Sequence, residues 1–519
     1  MKLKKYSRLA LLLSLFLVAC NPLGDSDSSK IPLDFHPGAS VPATPDTISP
    51  SVSFSNGTGS SIPASVTLTF SEGVYGLSTG AVSLSTSTLC AATISSVTFN
   101  AGASTATVNL GGTLNRLGDI CTLTIDSSQV KDAANNFLTG TAAKILSVDT
   151  VTAANQQVNV YASVTNATLS AGATAIDLNS ATGFYVGDKA LVIQMQNSVT
   201  PALAGTYEIV QISGIAGNQI TLSAGLANAY VSNTFGTTAS KAAQVLRLPR
   251  FTNFNIASGG SVVAPAWDGS TGGIVAVNAS GSITIAGSID VAAKGFRGGT
   301  TTANLACGAM PSVSATAGES VAGIGSATTA TNQSGGGAGN SGQCSFGGYI
   351  GAAGGGGGGY GAAGEDRSAY TSGATVVQGT GGPVTGVATL ARILLGSGGG
   401  AGGSHDAGVA GAGGIGGGAA ILFANSISVT GSIAATGAAG TGCTSPDGSG
   451  GGGAGGSIYL NATNAVTVGT NLVTALGGAR GLCTDAQPNP DYRTGGAGGE
   501  GRIKVVGGSV NGTTNPISP

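Results

Sequence analysis

Gly272-Gly273-Ile274-Val275-Ala276-Val277 runs into Ile283-Thr284-Ile285-Ala286-Gly287-Ser288-Ile289-Asp290-Val291, and the pattern returns further along the chain. Gly417-Gly418-Ala419-Ala420-Ile421-Leu422-Phe423-Ala424 leads into Ile427-Ser428-Val429-Thr430-Gly431-Ser432-Ile433, which sets Ile427 144 residues after Ile283. Gly455-Gly456-Ser457-Ile458-Tyr459-Leu460 leads into Val466-Thr467-Val468 a further 39 residues on. Gly499-Glu500-Gly501-Arg502-Ile503-Lys504-Val505-Val506 begins a shortened fourth copy. Alternation of branched apolar with small polar residues is the signal of a half-buried strand. Strands this short, with Ala, Gly and Ser at the corners and recurring as a unit, predict the coils of a parallel β-helix, in which stacking buries what one copy cannot. The expected fold class is all-β.

An insertion of about residues 300–415 separates the first two copies and contains Gly335-Gly336-Gly337, Gly354 to Gly359 and Gly398-Gly399-Gly400. Of the 91 glycines in the 519 residues, 67 fall in 251–500 and 20 in 1–250. Collagen is excluded, because glycine does not recur at every third position and there are only 17 prolines. A flexible linker is the other use of such composition, since glycine gives up the most backbone freedom on folding, but apolar blocks recur between the tracts. Extended glycine strands have no Cβ between them and can pack backbone to backbone, each placing its amides on neighbours. The tracts Gly354-Gly355-Gly356-Gly357-Gly358-Gly359-Tyr360-Gly361 and Leu394-Leu395-Gly396-Ser397-Gly398-Gly399-Gly400 resemble those of secreted bacterial glycine-rich surface proteins. They are also similar to the polyglycine bundles of phage adhesins and some receptor ectodomains, and the resemblance implies a rigid display structure.

Charged residues make up 8% of the chain, with 20 Lys+Arg against 22 Asp+Glu, where an average protein has about a quarter. There is no basic footprint for nucleic acid. The two histidines, His36 and His405, lie far apart and the cysteines lack close pairs, so no metal or other cofactor is expected.

At the N-terminus, Lys2, Lys4, Lys5 and Arg8 precede the apolar run Leu9 to Ala19, which suits a signal segment and is too short to span a bilayer. Leu17-Val18-Ala19-Cys20 closes the run and resembles the bacterial lipoprotein signal. That resemblance implies removal of residues 1–19, lipidation of Cys20 and a membrane partner through the lipid. Asn21 after the cysteine favours an outer-membrane destination, with the surface expected and the periplasmic face left open. Residues 20–46, rich in Ser, Pro, Asp and Gly, read as a flexible tether.

Residues 47–149 carry short alternating strands, as in Val66, Leu68 and Phe70 set between Ser65, Thr67 and Thr69. Val66-Thr67-Leu68-Thr69-Phe70-Ser71-Glu72-Gly73-Val74 and Val130-Lys131-Asp132-Ala133-Ala134-Asn135-Asn136 resemble the bacterial Ig-like domains of S-layer type, which implies a β-sandwich spacer. Cys90 and Cys121 are its only thiols and are expected to pair in an oxidising compartment. Residues 150–250 keep the strand signal and predict a small β domain. Residues 251–519 form the repeat region with its insertion.

Four cysteines remain in that region and allow three pairings. Cys443 and Cys483 follow successive repeats and are 40 residues apart where the repeats are offset by 39. Equivalent residues on neighbouring coils lie about 4.8 Å apart, within disulfide reach, so these two should pair and leave Cys307 with Cys344.

No catalytic constellation stands out. Ser404-His405-Asp406 has the residue types of a triad, but consecutive residues cannot align. The acids Asp268, Asp290, Glu365, Asp366, Asp447, Asp485 and Asp491 mostly fall at turns, and only a close pair in a groove would suit glycoside chemistry. Trp267, the only tryptophan, precedes the first visible repeat and reads as a cap on an open coil end or as a platform for stacking a sugar. The expected function is a noncatalytic, lipid-anchored surface protein, an adhesin or display protein with a glycan or protein ligand. The alternative is a β-helical polysaccharide lyase or hydrolase.

Overall fold

The computed structural model describes residues 44–519 other than 56, 86–89, 141, 234–239, 302–314, 341–343, 346–347, 350–351, 367–376, 405–408, 445–446 and 485–492, and leaves out the side chains of 344, 345, 348 and 349. The signal segment, Cys20, His36 and the expected Cys307–Cys344 bond lie outside the described residues. The chain divides into units 1–47 and 48–519, and every strand described belongs to the second. Apart from short 3-10 turns at Thr79–Ala81 and Pro201–Leu203, the regular structure described is strand. No described helix is long and apolar enough to cross a membrane.

Two four-stranded sheets come first. Val52–Phe54, Ser65–Phe70, Thr105–Gly112 and Ala92–Phe99 are neighbours in one, and Thr58–Gly59, Ala143–Val148, Ile120–Ile125 and Val82–Leu84 in the other. Alternation decides what faces inward: Val66, Leu68 and Phe70 are buried while the intervening Ser65, Thr67 and Thr69 are exposed. Val66, Leu68, Leu123 and Leu146 meet in one core, each contributing about 1.5–3 kcal/mol by leaving water. The expected Cys90–Cys121 disulfide is present, with Cα atoms 4.8 Å apart.

Next comes a six-stranded sheet whose central strand, Lys189–Asn197, is buried at every residue after Lys189. Its two faces serve different cores, which explains the unbroken run Ala190-Leu191-Val192-Ile193. Ala190 and Val192 pack with Ile176, Ile220 and Tyr230. Leu191, Ile193 and Met195 pack instead against Ile274, Ile421 and Leu394 of the repeat region.

The repeats stack in parallel and in the register their spacing predicts. Ile283 pairs with Ile427 and Ile427 with Val466. Arg250–Phe251, Ile274–Ala279, Ala419–Ala424, Ser457–Ala462 and Arg502–Val506 form one five-stranded sheet. Alternate residues such as Val277, Leu422, Leu460 and Val505 point into a core shared with Ile283, Ile427 and Val466 of the adjoining sheet. A tier without a glycine lead-in precedes the first visible repeat: Phe254–Ile256 pairs with Ile283 to Ile285, and Thr150–Val151 pairs below it.

Cys443 and Cys483 are bridged across adjacent tiers, with Cα atoms 4.5 Å apart and a parallel β-bridge between them. Closing a loop of 40 residues contributes about 3 to 4 kcal/mol in the chain-entropy account. Replacing both cysteines with serine should lower stability by about that amount, and non-reducing peptide mapping should recover the 443–483 link. A Cys307–Cys443 link, or free thiols at both positions, would contradict the tier register as well as the bond.

The glycine tracts are extended, buried and paired through their backbones. Along 448–456 the N–H groups point in turn to three neighbours at 2.7–3.0 Å: Gly448, Gly451 and Ala454 donate to the carbonyls of Gly403, Gly400 and Ser397; Ser449, Gly452 and Gly455 to those of Arg493, Gly496 and Gly499; Gly450, Gly453 and Gly456 to those of Thr441, Ala438 and Ala435. The tract 398–403 repeats the scheme toward 316–319, 411–414 and 353–356. A direction that recurs every third residue is the periodicity of the polyproline II helix, which makes no hydrogen bonds within itself and here makes them with its neighbours. Glycine costs about 0.5–1 kcal/mol more to order than alanine, while a hydrogen bond returns a net 0.5–1.5 kcal/mol or so. The bundle is therefore stable only when nearly every amide is paired. Tyr360 fastens it to the five-stranded sheet, with its hydroxyl 2.7 Å from that of Ser457 and the Arg502 guanidinium over its ring.

Candidate functional site

Trp267 has neither of its expected roles. A complete tier precedes it, so it does not close an open end, and at 2% exposure its ring has no face for a sugar. It stands edge-on to Phe296 at 6.0 Å, and its Nε1–H donates to Glu319 Oε1 at 3.1 Å. Glu319, itself 3% exposed, gathers three segments. Its Oε1 also accepts from the Gln196 amide at 2.8 Å and from Arg297 Nη2 at 3.0 Å, while Oε2 accepts from the backbone N–H and Nε of Arg297. The six-stranded sheet, the loop leaving the second tier and the glycine bundle thus meet on one carboxylate. Nothing in Gly318-Glu319-Ser320 signals this, since its partners come from far along the chain.

A second charged knot joins the first sandwich to the six-stranded sheet. The Arg116 and Arg247 guanidiniums lie over the Tyr185 ring at 5.3 and 5.0 Å, Arg116 pairs with Asp119, and Arg247 Nε donates to Asp188 at 2.7 Å. Burial pushes the Asp188 carboxyl above its usual range, against the pull of Arg247. Both knots hold modules together.

The candidate acids are engaged in local structure. Burial of Asp268 is outweighed by hydrogen bonds from Ser270 and Thr271, which hold its carboxyl below the usual range. Asp290 accepts from the Ala292 N–H, and Asp366 from that of Gly381. Glu365 pairs with Arg480 and accepts from the Ala497 N–H. Asp447 and Ser404 are buried. His405, Asp406, Asp485 and Asp491 lie outside the described residues.

The outer face of the five-stranded sheet carries the arrangement best suited to a ligand. At one end this face is covered by the six-stranded sheet. At the other, register places Asn278, Phe423 and Asn461 side by side on three adjacent strands. They line a shallow groove of about 290 Å³ with Asn425 and Thr463 at its rim. Phe423 is half-buried and meets Tyr459 edge-on at 5.8 Å, and the Tyr459 hydroxyl accepts from Asn461 Nδ2 at 3.0 Å. Tyr207 stands close by, its hydroxyl pKa pushed up to about 12 by burial and by Tyr459. Asn278, Phe423 and Asn461 are distant in sequence and only the register reveals them as a set.

No protein-family model matches the sequence, and no curated protein matches it. Among solved structures the chain is similar to the tailspike gp61 of Pseudomonas phage phi297, at 14% identity over 26% of this chain and 24% of that one, with a TM-score of 0.14. The Gp54 tailspike of Acinetobacter baumannii bacteriophage AP22, solved with a capsular saccharide of A. baumannii, matches at 10% identity over 26% and 25%, with a TM-score of 0.15. The tailspike gp49 of Pseudomonas phage LKA1 matches at 11% identity over 69% and 62%, with a TM-score of 0.15. The aligned part spans about a quarter of the first two chains, and TM-scores this low carry no functional argument.

Proposed function

We propose that this chain is a noncatalytic surface protein, anchored by lipid on Cys20 in the bacterial outer membrane, that serves as an adhesin or structural display protein. In this reading the first sandwich is an Ig-like spacer and the stacked tiers are a parallel β-helix carrying the glycine bundle outward. The observation that supports it is the three-way backbone pairing of the glycine tracts, which makes a rigid body from residues that offer no side-chain chemistry. A glycoside hydrolase of the usual kind needs two carboxylates flanking the scissile bond in a groove. Of the candidate acids, Asp268, Asp290 and Asp366 instead accept from backbone N–H groups and Glu365 pairs with Arg480.

The test is Cys20→Ala. Wild type should incorporate labelled fatty acid and fractionate with the outer membrane, and protease added to intact cells should reach it. The variant should lose the label and the membrane association. A wild type that takes up no label, with partitioning unchanged in the variant, would remove the anchor from the account.

A further inference from the structure

We propose that the groove over Phe423 binds a neutral saccharide. This goes beyond the display reading and rests on it only for the source of the ligand, a neighbouring cell or matrix surface.

A pyranose presents an apolar C–H face and a rim of hydroxyls that both donate and accept. Its complement is an aromatic ring flanked by side chains able to do both, and Asn amides have that capacity. Phe423 supplies the ring. Asn278 and Asn461 stand one strand away on either side, about 4.8 Å in each direction, which sets an amide on each side of a sugar ring stacked on Phe423.

The two amides are ready to bind. The Asn278 side chain makes no hydrogen bond to the described residues, its backbone being paired in the strand ladder, and Asn461 donates from Nδ2 to the Tyr459 hydroxyl. The edge-on contact with Tyr459 fixes the Phe423 ring, so little side-chain freedom is lost on binding. Charge decides the class of sugar. Among the described residues lining the groove none is charged, and Arg250, paired with Asn278 one strand beyond the groove, has its guanidinium against Gly187, so a neutral ring leaves no charge unpaired. At about 290 Å³ the groove sits at the small end of ligand sites and takes one or two rings, which implies Kd values of roughly millimolar order.

The experiment uses the full mature chain and saturation-transfer NMR with oligomers of glucose, galactose, mannose and N-acetylglucosamine, with oligogalacturonate as the charged comparison. At least one neutral oligomer should receive transfer and the uronate should not. Phe423→Ala should weaken binding at least tenfold. Asn278→Asp, at a half-exposed position, should weaken it several-fold with an unchanged melting temperature, which separates loss of the site from loss of the fold. No transfer to any neutral oligomer, equal transfer to the uronate, or binding retained in Asn278→Asp would each overturn the proposal. The Cys20→Ala chain should bind as wild type does, so failure of the anchor and failure of the groove are read independently.

Discussion

Gly451→Ala should lower the stability of the protein by about 3 kcal/mol, the upper end of the usual cost of overpacking. Gly451 lies in the middle of the bundle, where its N–H donates to Gly400 and a Cβ would collide with the carbonyl oxygen and carbon of Gly356. Side chains in an ordinary core can change rotamer to admit a methyl group, but here the obstacle is backbone that is itself hydrogen-bonded to a third strand. Relief therefore breaks further pairs. Gly214→Ala is the control, because a Cβ there meets only ordinary contacts with Thr221. It should be neutral, or stabilising by up to about 1 kcal/mol through the unfolded chain. Trp267 is the sole tryptophan and lies in the core that the bundle shares, so its fluorescence in a urea titration reports both variants. Equal midpoints for the two would mean that the tracts are not packed as described.

Glu319→Ala should cost about as much, near 3 kcal/mol. Breaking a buried ion pair costs roughly 3–5 kcal/mol, and the lower end applies because the Arg297 side chain is 36% exposed and can turn to water. Gln196 and Trp267 cannot, and each is left with a buried donor unsatisfied. Glu319→Gln should fall between wild type and alanine, since one oxygen remains for Trp267 and Gln196 while the new amide faces the donors of Arg297. The emission of Trp267 should shift to the red in the folded alanine variant. A loss under about 1 kcal/mol with unchanged emission would show that the three segments are held by something else.

The stacked tiers were legible because a parallel register preserves spacing. Offsets of 144 and 39 residues in the sequence became the pairings Ile283–Ile427 and Ile427–Val466, and the 40-residue spacing of Cys443 and Cys483 followed from the same rule. The tier at 250–263 was not legible, because Phe251 and Phe254 stand in place of a glycine lead-in and its lower neighbour is only Thr150–Val151. That hidden tier is why Trp267 read as an end cap. Its true partner, Glu319, is 52 residues away inside glycine-rich sequence whose periodicity lies in the direction of its amides and leaves no trace in residue type. The groove was hidden for a related reason. Asparagine and phenylalanine at alternating strand positions are individually ordinary, and only their alignment across three tiers sets a ring between two amides.

The central claim is that the glycine tracts form a rigid, backbone-paired body, and amide hydrogen exchange at 355–359, 399–403 and 450–455 tests it most directly. Protection there should match that of the strands Ile274–Ala279 and Ala419–Ala424, because the tracts and strands open together when their shared core opens. Exchange of the glycine amides at the rate of an unstructured chain, with those strands still protected, would contradict the claim.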